Sequence, residues 1–129
     1  MIVINERSPS PIYEQIIQQI KELILRGVLL EGEKLPSVRE MSGLIVVNPN
    51  TVSKAYQELE RQGVIETLRG KGTFVAKQQS PRMEKERMQK FREALKQVAI
   101  EATYLGIDSA QLQKWLEEYM MELRGGTDA

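Results

Sequence analysis

The sequence predicts a mostly α-helical fold with one small β-hairpin, arranged as an N-terminal winged helix-turn-helix followed by a C-terminal helical hairpin. Three observations favour this fold. Apolar residues recur at helical spacing, two capped helices fit within residues 37–62, and β-prone runs flank the turn at residues 69–72. The 129 residues accordingly divide into a first domain at 1–77, a linker at 78–81 and a second domain at 82–125.

The composition excludes most kinds of enzyme and several kinds of binding site. The chain has no cysteine and no histidine, so it lacks disulfides, thiol nucleophiles, the commonest general base and the commonest metal ligand. We therefore expect no enzymatic activity, no catalytic residue, no metal and no cofactor. No apolar run reaches the roughly 20 residues that span a bilayer, and the first residues lack the pattern of a secretory signal. These observations favour a cytoplasmic protein that does not bind membranes.

Net charge gives only weak support for a nucleic-acid partner. The chain has 18 basic and 18 acidic residues, whereas nucleic-acid-binding domains are typically basic. From Ser37 to Lys77, however, six basic residues accompany four acidic ones, and a dimer would double this local excess. Evidence for a nucleic-acid partner therefore depends on where the side chains lie and not on the net charge.

The first third of the chain predicts one long helix and a loop. Apolar residues recur at spacings of three and four between Pro11 and Arg26, and Gly27 can end the helix. Residues 28–36 contain glycine and proline and are predicted to form a loop. The run Ile-Val-Ile at residues 2–4 predicts a small edge strand.

Residues 37–62 have the pattern of a helix-turn-helix. Ser37 and Glu40 have the spacing of a capping box, which predicts the start of a short second helix. Asn48 and Pro49 are a typical N-cap and first helical residue, and Gly63 can end the third helix. In such a motif the second of the two helices can enter the major groove of DNA.

The third helix is predicted to have one apolar face and one polar face. The apolar sector of its helical wheel contains Val52, Ala55, Tyr56 and Leu59. The opposite side has hydrogen-bond donors and no acidic residue: Asn50, Lys54, Gln57 and Arg61, with Ser53 on the flank. Such side chains can bind base edges or phosphates. The alternative is an ordinary solvent-exposed face.

The predicted hairpin has two cations at its turn. Residues 64–68 and 73–76 are β-prone, and glycines at positions 70 and 72 permit a tight turn between them. Arg69 and Lys71 at such a tip suit a minor groove or the flanking phosphates. The alternative is an ordinary solvated turn.

Arg39, early in the second helix, has two interpretations. It can contact a phosphate or a base, or it can form a surface salt bridge with Glu40 or Glu58.

Four segments together resemble the DNA-binding domain of GntR-family bacterial transcriptional regulators: PIYEQI, LPSVRE, VNPNTVSKAYQELERQG and RGKGTFV. The form VNPNTV, followed by a short tail of two helices, is most similar to the YtrA-type subfamily. The resemblance implies DNA contacts from Arg39, Asn48, Asn50, Thr51, Ser53, Arg69 and Gly70. Geometry adds Lys54 and Lys71. Pro49 and Ser53 stand where many relatives have arginine, so the operator sequence cannot be transferred.

The last third of the chain predicts two helices with an apolar seam. Gly106 separates the helices, and Asp108 or Ser109 can cap the second one. Two helices of this size cannot bury the seam by themselves, so we expect a second copy of the chain to cover it. The alternative is that the seam packs against the first domain. The predicted dimerisation residues are Met88, Phe91, Leu95, Val98, Ala102, Leu105, Leu112 and Leu116.

These features predict a sequence-specific DNA-binding transcriptional regulator, most simply a repressor, that binds an inverted-repeat operator as a homodimer. The alternative is a winged-helix module that binds another protein and no DNA. A small-molecule effector is left unknown by the sequence. A helical hairpin has little room for a ligand pocket, so a metabolite site would have to lie at the dimer interface.

Overall fold

A computed structural model of the chain, which describes residues 2–77 and 84–125, confirms a mostly helical fold with one antiparallel hairpin. The elements, in chain order, are α1 (Ile12–Leu25), α2 (Val38–Ile45), α3 (Pro49–Arg61), β1 (Ile65–Leu68), β2 (Gly72–Val75), α4 (Glu84–Tyr104) and α5 (Ser109–Gly125). The chain forms two compact units, Met1–Pro81 and Arg82–Ala129. The linker predicted at 78–81 lies outside the described residues.

The core of the first unit lies around α3, which packs against α1, α2 and β1. The apolar face predicted for α3 is confirmed, because Val52, Ala55 and Leu59 are fully buried and Tyr56 nearly so. The other elements add these buried side chains: Ile16, Ile17, Ile20, Leu29, Leu35, Met41, Ile65 and Val75. The predicted start of α1 was one residue early, since Pro11 is the N-cap and the helix begins at Ile12.

The edge strand predicted at residues 2–4 is wrong. This segment has no regular secondary structure, and side-chain amides of α1 take the place of a neighbouring strand. Gln19 accepts from the Val3 N–H at 2.8 Å and donates to the Val3 carbonyl at 2.7 Å. Gln15 pairs with the Asn5 backbone in the same way, at 2.9 Å in both directions. An amide group has the donor and acceptor of a peptide unit, so two glutamines satisfy this backbone without a sheet.

The loop predicted at residues 28–36 contains an extended segment that pairs with β2 of the hairpin. Val75 donates its N–H to the Glu33 carbonyl and accepts from the Gly32 N–H, both at 2.9 Å. Leu35 donates to the Thr73 carbonyl at 2.8 Å. The segment is too short and too polar to show an alternating pattern, so only the tertiary pairing identifies it.

The helix-turn-helix begins as predicted and contains one strained residue. Ser37 Oγ accepts from the Glu40 N–H at 3.1 Å, and the Glu40 carboxylate accepts from the Ser37 N–H at 2.9 Å, which completes the capping box. The C-cap of α2 is Val46, with φ 53° and ψ 58° in the left-handed region. A β-branched residue rarely adopts this conformation, because its side chain crowds the backbone there.

The second unit consists of α4 and α5, which are joined by a short turn. Gly106 ends the first helix with φ 74°, and the Ile107 N–H donates to the Ala102 carbonyl at 2.8 Å. Asp108 rather than Ser109 caps α5, since its carboxylate accepts from the Gln111 N–H at 2.9 Å. The two predicted helices are therefore present with the predicted break between them.

Replacement of Val46 by glycine should stabilise the fold by about 0.5–1 kcal/mol. The left-handed conformation costs a non-glycine residue roughly 1–2 kcal/mol, while the flexibility of glycine in the unfolded chain offsets about 0.5–1 kcal/mol. The Val46 side chain is 86% exposed, so little packing is lost. Chemical denaturation at one fixed protein concentration measures the change. The control is Val28→Gly, at an exposed valine outside the left-handed region, which should give no gain.

Candidate nucleic-acid interface

A partly buried hydrogen bond fixes α3 against the start of α2. The Tyr56 hydroxyl in α3 donates to the Pro36 carbonyl at 2.7 Å, just before the capping box. Burial, with a smaller contribution from the negative charge of Glu40, raises the pKa of Tyr56 to about 12. The phenol therefore stays protonated near neutral pH and keeps donating. This bond sets the spacing between the two helices of the motif.

The start of α3 presents short polar side chains to solvent. The Asn48 side-chain oxygen caps the helix by accepting from the Asn50 N–H at 2.8 Å, which leaves the Asn48 amide N–H groups for a ligand. Asn50 itself is exposed, and Thr51 and Ser53 are half-exposed. The structure thus places these four predicted contact residues within six positions at the start of α3, Asn48 to Ser53, with Pro49 and Val52 between them.

Farther along α3, the structure gives each predicted polar side chain a partner. The Lys54 Nζ lies 4.0 Å from the centroid of the Tyr13 ring in α1. Gln57 donates from Nε2 to Ser53 Oγ at 3.2 Å. Arg61 makes two hydrogen bonds to the Glu58 carboxylate, at 2.9 Å and 2.6 Å. Arg61 is therefore held by a residue of its own helix. The polar side chains that remain open to a ligand lie mainly in the first two turns of α3.

The same ion pair bears on the salt-bridge interpretation of Arg39. Glu58 pairs with Arg61, and the Glu40 carboxylate belongs to the capping box. Arg39 is exposed, and no salt bridge to it occurs among residues 2–77 and 84–125. Its guanidinium is thus available on the surface in the first turn of α2, as a phosphate or base contact requires.

Glu58 is the most strongly perturbed carboxylate of this face. The hydrogen bond from Arg61 lowers its pKa to about 2, against an opposing effect of burial, and Gln62 adds a further hydrogen bond at 2.7 Å. The carboxylate is therefore ionised at any physiological pH. Its negative charge is compensated by Arg61 instead of facing a ligand.

The hairpin places its cations on an exposed three-residue turn. Leu68 pairs with Gly72 across the strands, and the Lys71 N–H donates to the Leu68 carbonyl at 2.9 Å. Arg69, Gly70 and Lys71 are all exposed. Gly70 has φ 77°, a conformation that favours glycine, so this turn depends on the residue at its centre.

Two residues near this face were missed by the sequence analysis. Lys34 lies in the extended segment that pairs with β2, and its side chain passes over Gly72. A Cβ added to Gly72 would lie 2.9 Å from Lys34 Cε. A third cation therefore lies at the base of the turn. Tyr13, which holds Lys54, entered the sequence analysis only as part of the segment PIYEQI. Both contacts join segments far apart in sequence, so no local pattern could reveal them.

The predicted dimerisation seam is mostly exposed to solvent within the protomer. Met88, Phe91, Leu95, Val98 and Leu105 are between 48% and 70% exposed, and Leu116 is 56% exposed, while Leu112 is half-buried. Ala102 alone is buried in the described part of the second unit, residues 84–125. The second unit therefore has a long apolar surface and almost no core of its own.

Two other kinds of site are absent from the described ranges. No cluster of three or more histidine, cysteine, aspartate or glutamate side chains in residues 2–77 and 84–125 could hold a metal ion. In the same ranges, no helix combines the length and apolar character needed to cross a membrane.

Comparison with known proteins identifies relatives of the chain. The family model described as bacterial regulatory proteins, gntR family, matches residues 12–75. The HTH-type transcriptional repressor YtrA of Bacillus subtilis strain 168 is 51% identical over 126 residues, which are 98% of this chain and 97% of that protein.

Solved structures show the same relationship. A Listeria monocytogenes EGD-e protein described as a transcriptional antiterminator has a TM-score of 0.88 and 48% identity, covering 96% of this chain and 92% of its own. The DNA-binding domain of AraR in complex with operator ORX1 has a TM-score of 0.53 and 32% identity, covering 57% of this chain and 94% of its own. The first neighbour thus matches both units, and the second matches part of the chain.

Acid should destabilise the chain partly through Glu58. Its folded-state pKa of about 2 is below the ordinary value of 4.5, so the unfolded chain takes up a proton more readily as the pH falls. The free energy of unfolding should therefore decrease between about pH 4.5 and pH 2. Glu58→Gln should reduce this decrease, as urea denaturation at several pH values would show. The matched control is Glu31→Gln at an exposed turn residue, and equal pH dependence in both variants would contradict the assignment.

Proposed function

Because the chain belongs to the GntR family of bacterial regulatory proteins and is a transcriptional regulator of its YtrA type, we propose that it binds a specific DNA operator as a homodimer and represses transcription there. The operator would be an inverted repeat, since two-fold symmetric protomers present the same surface twice. Repression follows the name of the Bacillus subtilis relative and needs only that the bound protein block a promoter.

The observation that carries the proposal is the outer face of α3. Residues 48–57 contain no acidic side chain, and their exposed or half-exposed polar side chains can donate hydrogen bonds. The opposite face is fully buried, so the helix has one rotation in which its polar side can meet a groove. The operator complex of the AraR DNA-binding domain, which has the same fold, supports DNA binding by this unit.

The predicted contact side chains fall into two groups: those that read the base sequence and those that position the protein on the DNA backbone. Asn50, Thr51 and Ser53 at the start of α3 suit base edges, because short amide and hydroxyl groups read donor and acceptor patterns in the major groove. Arg39 and the wing cations suit phosphates, which carry most of the affinity but little sequence information. The exposed turn at Arg69 to Lys71 could also enter an adjacent minor groove.

The second unit supports the homodimer. Its exposed seam repeats at alternating spacings of three and four along α4, the pattern of a helix that packs against other helices. A second copy presents the same seam, so a two-fold interface buries both at once. Two winged units in such a dimer would meet half-sites about 34 Å apart along the duplex, or a multiple of that distance.

Two other activities deserve a direct test. A protein-binding winged helix would place aromatic or aliphatic anchors on the outer face of α3, and residues 48–57 have none exposed there. The Listeria neighbour is described as a transcriptional antiterminator, which raises RNA as a ligand. Selection of duplexes from a library with a randomised core, followed by gel shifts with the selected DNA and the matching RNA, separates these activities. Failure to enrich any DNA sequence would refute the proposal.

Replacements of Asn50 and Lys71 should have different effects on DNA binding. Asn50→Ala should relax discrimination at one base pair by roughly 1–3 kcal/mol, because an amide pairs with a particular base edge. Lys71→Ala should weaken all duplexes about equally and reduce the salt dependence of log Kd by about one unit per protomer, about two units for the homodimer. Binding titrations on the selected duplex and its point variants measure both effects. Gln18→Ala on the far side of α1 is the control, and a matching loss there would contradict the assigned face.

A charge in the seam should separate the protomers. Leu95 is 54% exposed in the protomer, so Leu95→Glu can be accommodated there but would place an unpaired carboxylate in the dimer interface. We expect a monomer at micromolar concentration and loss of tight binding to the two-half-site duplex. Light scattering after gel filtration measures the mass. Gln97→Glu adds the same charge on the exposed opposite side of α4 and should leave the dimer intact.

A further inference from the structure

Lys54 and Tyr13 form a cation–π pair between α3 and α1. The ammonium lies 4.0 Å from the ring centroid, well within the range of this interaction. Tyr13 is the second residue of α1 and packs against the core, whereas Lys54 is exposed. Within residues 2–77 and 84–125, no salt bridge joins Lys54 to a carboxylate. The ring is thus the group that holds the lysine.

This contact orders a side chain that is otherwise flexible. Lysine has four methylene groups and loses much rotational freedom when its ammonium is fixed in a complex. The Tyr13 ring is itself held by the core and by the packing of α1 against α3. The Lys54 side chain is therefore already restricted in the unbound protein, and it loses less conformational entropy when a ligand binds.

An aromatic ring differs from a carboxylate as the partner of a cation. A salt bridge would compensate the positive charge, as the Glu58–Arg61 pair does one turn farther along α3. A ring attracts the ammonium through its quadrupole and leaves the charge available to an anion. The carboxylate of Glu14 is next to Tyr13 but accepts from the Tyr13 hydroxyl, at 3.4 Å.

The location of the ammonium favours a phosphate over a base. Lys54 follows Asn50 by four positions, so both lie on the outer side of α3, but the contact with Tyr13 draws the lysine toward the α1 flank. Side chains at the flank of a recognition helix meet the backbone at the edge of the groove, and those at its start meet base edges.

We propose that Tyr13 is a positioning residue for DNA binding, which holds the Lys54 ammonium at the α1 flank of α3, where it contacts a backbone phosphate. The proposal depends on the DNA-binding function proposed above, and it adds a role for a residue of α1 that need not touch DNA. It predicts that the affinity for DNA depends on the aromatic ring of Tyr13, and that this dependence disappears when Lys54 is replaced.

The test is a double-mutant cycle with the full chain. The probe is the duplex selected by the unmodified protein from the randomised library, and the variants are Tyr13→Leu, Tyr13→Phe, Lys54→Ala and the Leu/Ala double variant. Kd is measured for each at several salt concentrations, and thermal unfolding is recorded in parallel.

We expect Tyr13→Leu to weaken binding about twofold to fivefold, the factor that a cation–π contact at a partly exposed site is worth. The salt slope should stay unchanged in this variant, because the lysine still reaches its phosphate. Lys54→Ala should reduce that slope by about one unit per protomer, about two units for the homodimer. Tyr13→Leu should have no further effect when Lys54 is already alanine, and Tyr13→Phe should restore the affinity.

Several outcomes would overturn the proposal, and they differ from failure of DNA binding itself. If the unmodified protein selects no duplex, the proposed function fails and this inference fails with it. If it selects one but Tyr13→Leu binds equally well, or more tightly, the ring does not position the lysine for DNA. An equal loss with and without Lys54, accompanied by a lower unfolding temperature, would show a purely structural role for Tyr13.

Discussion

Burial of one face of α3 is the constraint on which the rest of the first unit depends. Val52, Ala55 and Leu59 have no exposed surface, so the helix cannot rotate without bringing polar side chains into the core. Successive residues differ by about 100° around a helix, so a shift of one position would turn Lys54 toward the apolar side. The buried face therefore determines which side chains of α3 are exposed to solvent. The Tyr56 hydrogen bond to Pro36 fixes the position of these side chains relative to α2.

The two units obtain stability in different ways. The first has a closed core made by three helices and the hairpin. The second has one buried residue, Ala102, in its described part, and its apolar side chains otherwise face solvent. Helices of this length gain most of their stability from packing of the apolar face. In the proposed homodimer, folding of the second unit and association of the protomers would therefore be one event, and the fraction of chains with two joined winged units would depend on protein concentration.

Local chemistry accounts for what the sequence predicted correctly. The capping box at Ser37, the Asn48–Pro49 helix start and the glycine-containing turn at the wing each depend on neighbouring residues, and each is present. The misses involve partners distant in the chain. Gln19 replaces a strand beside Val3, and Lys34 reaches Gly72 from a segment predicted as loop. Glutamine and lysine have no strong preference for these roles, so only the fold defines them.

The placement of acidic residues explains how a chain with no net charge can present a surface suited to a polyanion. Between Ser37 and Lys77, Glu58 is paired with Arg61, and Glu40 lies at the start of α2, where the Ser37 N–H and the helix dipole compensate its charge. Glu60 accepts from the Thr67 N–H of β1 at 3.2 Å, on the wing side of α3. The cations Arg39, Lys54, Arg69 and Lys71 have no such carboxylate partner among the described residues. Because attraction at contact distance depends on local charges more than on the total, structural use of three of the four carboxylates in this segment, those of Glu40, Glu58 and Glu60, favours a cationic surface on a neutral protein.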